Sequence, residues 1–160
     1  MSTDRRWNRN VHTWKLGTDV TGPVPVRGVS YEDHYMRLTE DGTLTVRGRY
    51  AWNGCSPKFA IAGMVFGTPE GMIPYRSERH RIRNALAGLG YGSLEWRQPK
   101  TYWASLFHDS LYQLSDRFAD SMSRADADRL FFDLLKACRF PRARLYYWAV
   151  RLTGALFWGP

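Results

Sequence analysis

In the stretch KTYWASLFHDSLYQLSDRF, residues 100–118, the large apolar side chains Trp103, Phe107, Leu111, Leu114 and Phe118 recur four, four, three and four positions apart. A strand, with its period of two, would scatter them over both faces, whereas an α-helix gathers them into one stripe. The spacing therefore predicts a helix with a core-facing side, and a chain that must build a second layer to cover it. Inside this apolar run sit His108 and Asp109, with Tyr112 one turn beyond His108. Both are mediocre helix formers, and burying either is costly without a polar partner. The small residues Ala104 and Ser105 on the neighbouring arc leave room for another segment to approach beside them.

Around this helix the chain divides in two. SERHRIRNALAGLG, residues 77–90, predicts a helix with Ser77 as N-cap and Gly88 or Gly90 as its stop. SRADADRLFFDLLKAC, residues 123–138, predicts another, with Ser123 and Asp126 in capping-box spacing. PRARLYYWAVRLTGALFW, residues 141–158, predicts a fourth that opens with Pro141 at the first helical position. Before residue 76 the character changes. HYMRLTEDGTLTVRGRY carries Asp41-Gly42 between two alternating runs, which is a β-hairpin signal. TGPVPVRG is too rich in Pro and Gly for a central strand, and AWNGCSPKFAIAGMVFGTPEGMIP reads as a loop-rich connection. The expected fold class is α+β, mainly α, in a single domain over 1–160. It comprises an irregular arm (1–28), a β-hairpin and loop-rich region (29–75), and a bundle of about four helices (76–160).

A chain of 160 residues with 44% hydrophobic and 15% aromatic residues buries a core without staples. Cys55 and Cys138 form no C-x-x-C pair, so a disulfide framework is not expected and a reducing compartment is the default. No stretch is long and apolar enough to span a bilayer, and the start lacks the apolar run of a signal peptide, so cytosolic synthesis is expected. The formal charge of +8 favours anionic partners, nucleic acid or an anionic lipid surface, without choosing between them.

The third predicted helix supplies a partner for His108. Ala127, Leu130, Phe131, Leu134 and Cys138 make its apolar face, and Asp128 lies beside that face. If the two helices pair, Asp128 can accept a hydrogen bond from one imidazole nitrogen, fixing the tautomer and leaving the other to take a proton from water. Asp109 would point elsewhere, where its carboxylate could hold a hard cation.

HDSLY followed by ADADRLF resembles the H-D-x-x-Y … A-D-x-x-F helical pair of phospholipase A₂-like domains, including the short viral kind. A wider resemblance runs from about Trp52 to Trp158: the order YAWNGCSPK, ASLFHDSLY, SRADADRLF, YYWAVRLTG is similar to domain-of-unknown-function family 1353 of phages and prophages. The second implies a phage origin, with synthesis in the host cytoplasm and a place in the virion as one destination, and implies no activity. The first implies a hydrolase cleaving lipid acyl esters. In it His108 is the general base, Asp128 its partner, Tyr112 a supporting hydrogen-bonding residue and Asp109 a calcium ligand. The backbone carbonyls of a glycine-containing loop complete the calcium shell, with Trp52 and Gly54 in YAWNGCS as the candidates. The sequence departs from that family in having Gly54 alone, over fifty positions before His108, and in lacking a disulfide cage.

Other readings stand beside this one. His108 and Asp128 could tie two helices together without turnover, in a non-catalytic phage structural or host-interaction protein. His80, His108-Asp109 and Asp126 or Asp128 also occur in the order of metal-dependent phosphohydrolases of the histidine-aspartate type, which need a divalent metal. His12 and His34 read as surface residues. In the last helix, helix-spaced aromatics point to core burial, whereas Arg142, Arg144, Trp148 and Arg151 together suit a membrane or partner surface. Arg76, Arg79, Arg81 and Arg83 cluster in RSERHRIRN with no recognised reader motif, so specific nucleic-acid binding is not expected and a solvated basic face is.

Overall fold

The computed structural model describes residues 14–52, 59–61, 64–66, 73–117, 120–156 and 158, and its fold is α+β. Among the described residues eight short strands come first: β1 (Trp14–Lys15), β2 (Val20–Pro23), β3 (Tyr31–Glu32), β4 (Met36–Leu38), β5 (Thr43–Val46), β6 (Ala51–Trp52), β7 (Phe59–Ile61) and β8 (Met64–Phe66). Four helices follow: α1 (Arg79–Gly88), α2 (Tyr102–Gln113), α3 (Arg124–Ala137) and α4 (Ala143–Thr153).

The Asp41-Gly42 hairpin joins β4 to β5 in the register Leu38↔Leu44, inside an antiparallel sheet of order β2-β5-β4-β3. Gly42 sits at φ +81° and donates its N–H to the Thr39 carbonyl at 2.8 Å. A side chain there would also strike the Val26 carbonyl and the Arg27 guanidinium, so only glycine fits. Alternation places Met36, Leu38, Leu44 and Val46 on the buried face.

From Trp14 onward the expected irregular arm is replaced by strands. β1 pairs with β6 and β2 with β5, and Val24 and Val26 are buried. Pro23 is accommodated because β2 is an edge strand and the proline ends it. Residues 1–13 of that arm, and His12 with them, lie outside the described residues. The connection expected to be loop-rich contains β6 and the β7–β8 hairpin.

The helices begin and end where local chemistry allows. Ser123 caps α3: its hydroxyl accepts from the Asp126 N–H while the Asp126 carboxylate accepts from the Ser123 N–H at 2.9 Å. Ser77 does not cap α1. It lies inside a 3₁₀ turn, Arg76–Glu78, that leads into the helix, and Gly90 at φ +87° turns the chain away after it. Pro141 lies in the turn just before α4.

Helix α2 is central, with α3 packed against it and against α1 and α4. Trp103, Phe107, Leu111 and Leu114 are buried as the stripe predicts, but so are Tyr102, Ala104, Ser105, Leu106, His108, Ser110 and Tyr112. The strand layer covers the side that an amphipathic pattern would leave wet: the Trp52 indole donates to Ser105 Oγ at 3.2 Å, and Trp14 and Trp52 meet Tyr102 edge to face. The serines tolerate burial because Ser105 and Ser110 donate back to the Tyr102 and Leu106 carbonyls at 2.9 and 2.7 Å.

Candidate functional site

His108 projects from the middle of α2 and Asp128 from the second turn of α3. His108 Nε2 lies 2.8 Å from Asp128 Oδ1, with His108 3% and Asp128 0% exposed. One turn along α2, the Tyr112 hydroxyl donates to the same oxygen at 2.6 Å. The imidazole lies between the Tyr112 and Phe131 rings, with centroids 4.2 and 4.8 Å away. The i, i+4 spacing of His108 and Tyr112 lets one carboxylate oxygen serve both.

The other carboxylate oxygen belongs to two arginines. Arg151 Nη1 donates to Asp128 Oδ2 at 2.9 Å, and Arg124 Nη1 does so at 3.3 Å while also reaching the Val150 and Arg151 carbonyls at 3.3 and 3.0 Å. On α4, Arg151 thus reaches Asp128, a buried charge that water cannot solvate, while staying 28% exposed. Arg142 and Arg144 are exposed, Trp148 is 61% exposed, and Leu145, Leu152 and Leu156 continue its stripe. Gly154, just past α4, lets the chain close over Tyr112, and Trp158 meets the Tyr112 ring edge to face at 4.9 Å.

The electrostatics follow from this packing. Burial holds the His108 imidazole below its ordinary value, a push that Asp128 only partly reverses, so the ring is neutral at neutral pH. Burial alone would raise Asp128, but the hydrogen bonds from His108 and Tyr112, with that from Arg151 behind them, hold it below the usual carboxylate range. A neutral imidazole donating from Nε2 to a carboxylate has Nδ1 as its basic nitrogen. Burial, reinforced by Asp128, pushes the Tyr112 hydroxyl well up, so it stays a donor.

Asp109 belongs to a different environment. Burial pushes its carboxyl up to about 7, and among the described residues its hydrogen-bond partner is Gln113, at 3.4 Å. Its charge acts on the buried Tyr50, whose hydroxyl lies beside Ser110. Asp109 thus faces the strand layer, on the side where Tyr50 and Trp52 of YAWNGCS pack, while Gly54 and Cys55 lie outside the described residues. A carboxylate is a donor that a hard cation accepts, but Asp109 is the one member of the expected calcium set whose ligating side chain the described residues place. Among the described residues no group of three or more His, Cys, Asp and Glu side chains converges as a metal cluster. Accordingly His80, exposed on α1, is not brought together with His108 and Asp126, and Asp126 is committed to the α3 cap.

Sequence reasoning missed Arg124 and the inward turn of Arg151. The i, i+4 spacing of Arg124 and Asp128 was a readable signal, while Arg151 approaches from 23 positions away. Among the described residues no helix is long and apolar enough to cross a membrane. Comparison with models of known protein families, with characterised proteins and with solved structures finds no match for this chain.

Proposed function

We propose that this chain is a phage-type hydrolase that cleaves lipid acyl esters with water activated by His108. The observation that carries the reading is the 2.8 Å contact between His108 Nε2 and a fully buried Asp128 whose same oxygen also takes the Tyr112 hydroxyl. In this reaction Nδ1 removes a proton from water as the oxygen attacks the ester carbonyl. The carbon–oxygen bond to the alcohol then breaks, and the imidazolium returns the proton to the leaving oxygen. Asp128 stabilises the imidazolium between these steps and is itself kept ionised by its hydrogen bonds from His108 and Tyr112, with Arg151 adding to them. Asp109, with the Trp52 and Gly54 carbonyls, would hold calcium, which when bound supplies positive charge for the developing oxyanion. Arg142, Arg144 and the exposed Leu145, Trp148 and Leu152 would set the molecule on an anionic lipid surface.

A second reading has its own observation. The 3% exposure of His108 and the four donors on Asp128 describe a buried hub that joins α2, α3 and α4, as a non-catalytic phage structural or host-interaction protein would retain it. The two part in one assay. Calcium-dependent release of fatty acid from phosphatidylglycerol vesicles, lost in His108→Gln with the melting temperature within a few degrees of wild type, is the hydrolase result. No release by the wild-type protein, with His108→Gln only lowering the melting temperature, leaves the hub.

A further inference from the structure

The start of α1 holds a second constellation, which the hydrolase reading does not use. Arg76, Arg79, His80 and Arg83, spaced on one face of the 3₁₀ turn and helix, line an open cavity of about 240 Å³ together with Trp96 from the α1–α2 connection. The Arg79 guanidinium lies over the Trp96 ring, 4.3 Å from its centroid. Stacking occupies the flat face of a guanidinium and leaves its N–H groups, which lie in the plane, pointing outward.

Two features separate this cluster from an ordinary solvated basic face. Arg79 Nε is buried and has no hydrogen-bond partner among the described residues. Stacking on Trp96, and not a hydrogen bond, thus holds that end of the side chain. The nearest carboxylate in sequence is also withdrawn. Glu78 accepts from Lys100 Nζ at 2.9 and 2.8 Å and lies 3.7 Å from Arg139 Nε, so its charge is spent away from the cavity. Among the described residues none of Arg76, Arg79 and Arg83 forms an ion pair with a carboxylate, although like charges this close repel one another.

We infer that this cavity is a phosphate-binding site, in which Arg79, held on Trp96, and Arg83 grip a phosphate group while Arg76 and His80 close around it. The oxyanion neutralises the cluster and matches the fork of donors that guanidinium presents. The phosphate can be free or carried on a lipid headgroup; both present the same oxygens to the same donors. The site does not depend on His108 or Asp128.

Titration calorimetry with inorganic phosphate against chloride at equal ionic strength tests it, with phosphatidylglycerol and phosphatidylcholine vesicles as the second arm. The variants are Arg79→Gln and Arg83→Gln, with Arg129→Gln, an exposed arginine elsewhere, as the charge control. Saturable phosphate binding weakened by about tenfold or more in Arg79→Gln and Arg83→Gln, and unchanged in Arg129→Gln, establishes the site with free phosphate as ligand. Vesicle binding that shows the same pattern without affinity for free phosphate assigns it to a headgroup. No binding in either arm, or an equal loss in Arg129→Gln, overturns the inference.

Discussion

Replacing Asp128 by Asn is the most informative single change, because it keeps the volume and removes the charge. In the native protein the carboxylate is fully buried and receives His108, Tyr112, Arg124 and Arg151 at 2.8, 2.6, 3.3 and 2.9 Å. Removing one partner of a buried charge network costs about 3–5 kcal/mol, chiefly because the remaining charges lose their counter-ion. Here Arg124 and Arg151 are 21% and 28% exposed, and Arg124 keeps two carbonyl acceptors, which places the loss toward the lower end of that range. At about 2–4 °C per kcal/mol for a chain of this size, the melting temperature falls by roughly 6–20 °C. Urea unfolding at pH 7 measures it, with the midpoint lowered and the slope unchanged. The pH dependence has a definite sign. Asp128 has a depressed value in the folded state, so its contribution is present above the unfolded carboxylate value and is lost as pH falls through the folded one. The deficit of the variant therefore shrinks in acid. A loss below about 1 kcal/mol at pH 7 would place Asp128 among ordinary surface carboxylates and refute the hub.

Three further outcomes are expected. Asp109→Asn stabilises the protein at pH 8: burial raises the native carboxyl from 3.8 to about 7, so the stability of the protonated form is fully present below the lower value and lost as pH rises through the higher one. The gain, at least about 1 kcal/mol at pH 8, disappears toward pH 4, and urea midpoints at the two pH values check it. Calcium, if held by Asp109, raises the wild-type midpoint at pH 8 and leaves the variant's unchanged. Gly154→Ala drives a methyl group into the Tyr112 hydroxyl and against the Arg124 guanidinium, and a loss of about 1–3 kcal/mol is expected in thermal unfolding.

What could be read from the residues follows the distance over which each interaction acts. The α2 stripe, the Asp41-Gly42 turn and the Ser123–Asp126 cap are local patterns, set within a few residues, and they stand where the spacing puts them. The strands β1 and β2 escaped because their partners lie far along the chain, Trp14 on Trp52 and Val20 on Val46, and two to four residues carry no periodicity of their own. The contact of His108 with Asp128 was accessible because each sits beside an apolar face that must be buried against the other. Arg151 was not, since a charged residue among aromatics reads equally as an interfacial anchor. Trp148 is exposed because α4 uses Ala143 and Val150 to meet the bundle.

The bond between the Trp52 indole and Ser105 joins residues 53 positions apart, and the Tyr91 hydroxyl reaches the Pro23 carbonyl over 68. Contacts of that span close large loops, so the buried face of α2 is complete only once the strands are in place. The strand layer is then no appendage that could be trimmed or exchanged while the helices carry on. A transplant of residues 73–160 into another scaffold would bring along Ser105 and Tyr102 stripped of their cover, and with them a loosened platform beneath His108.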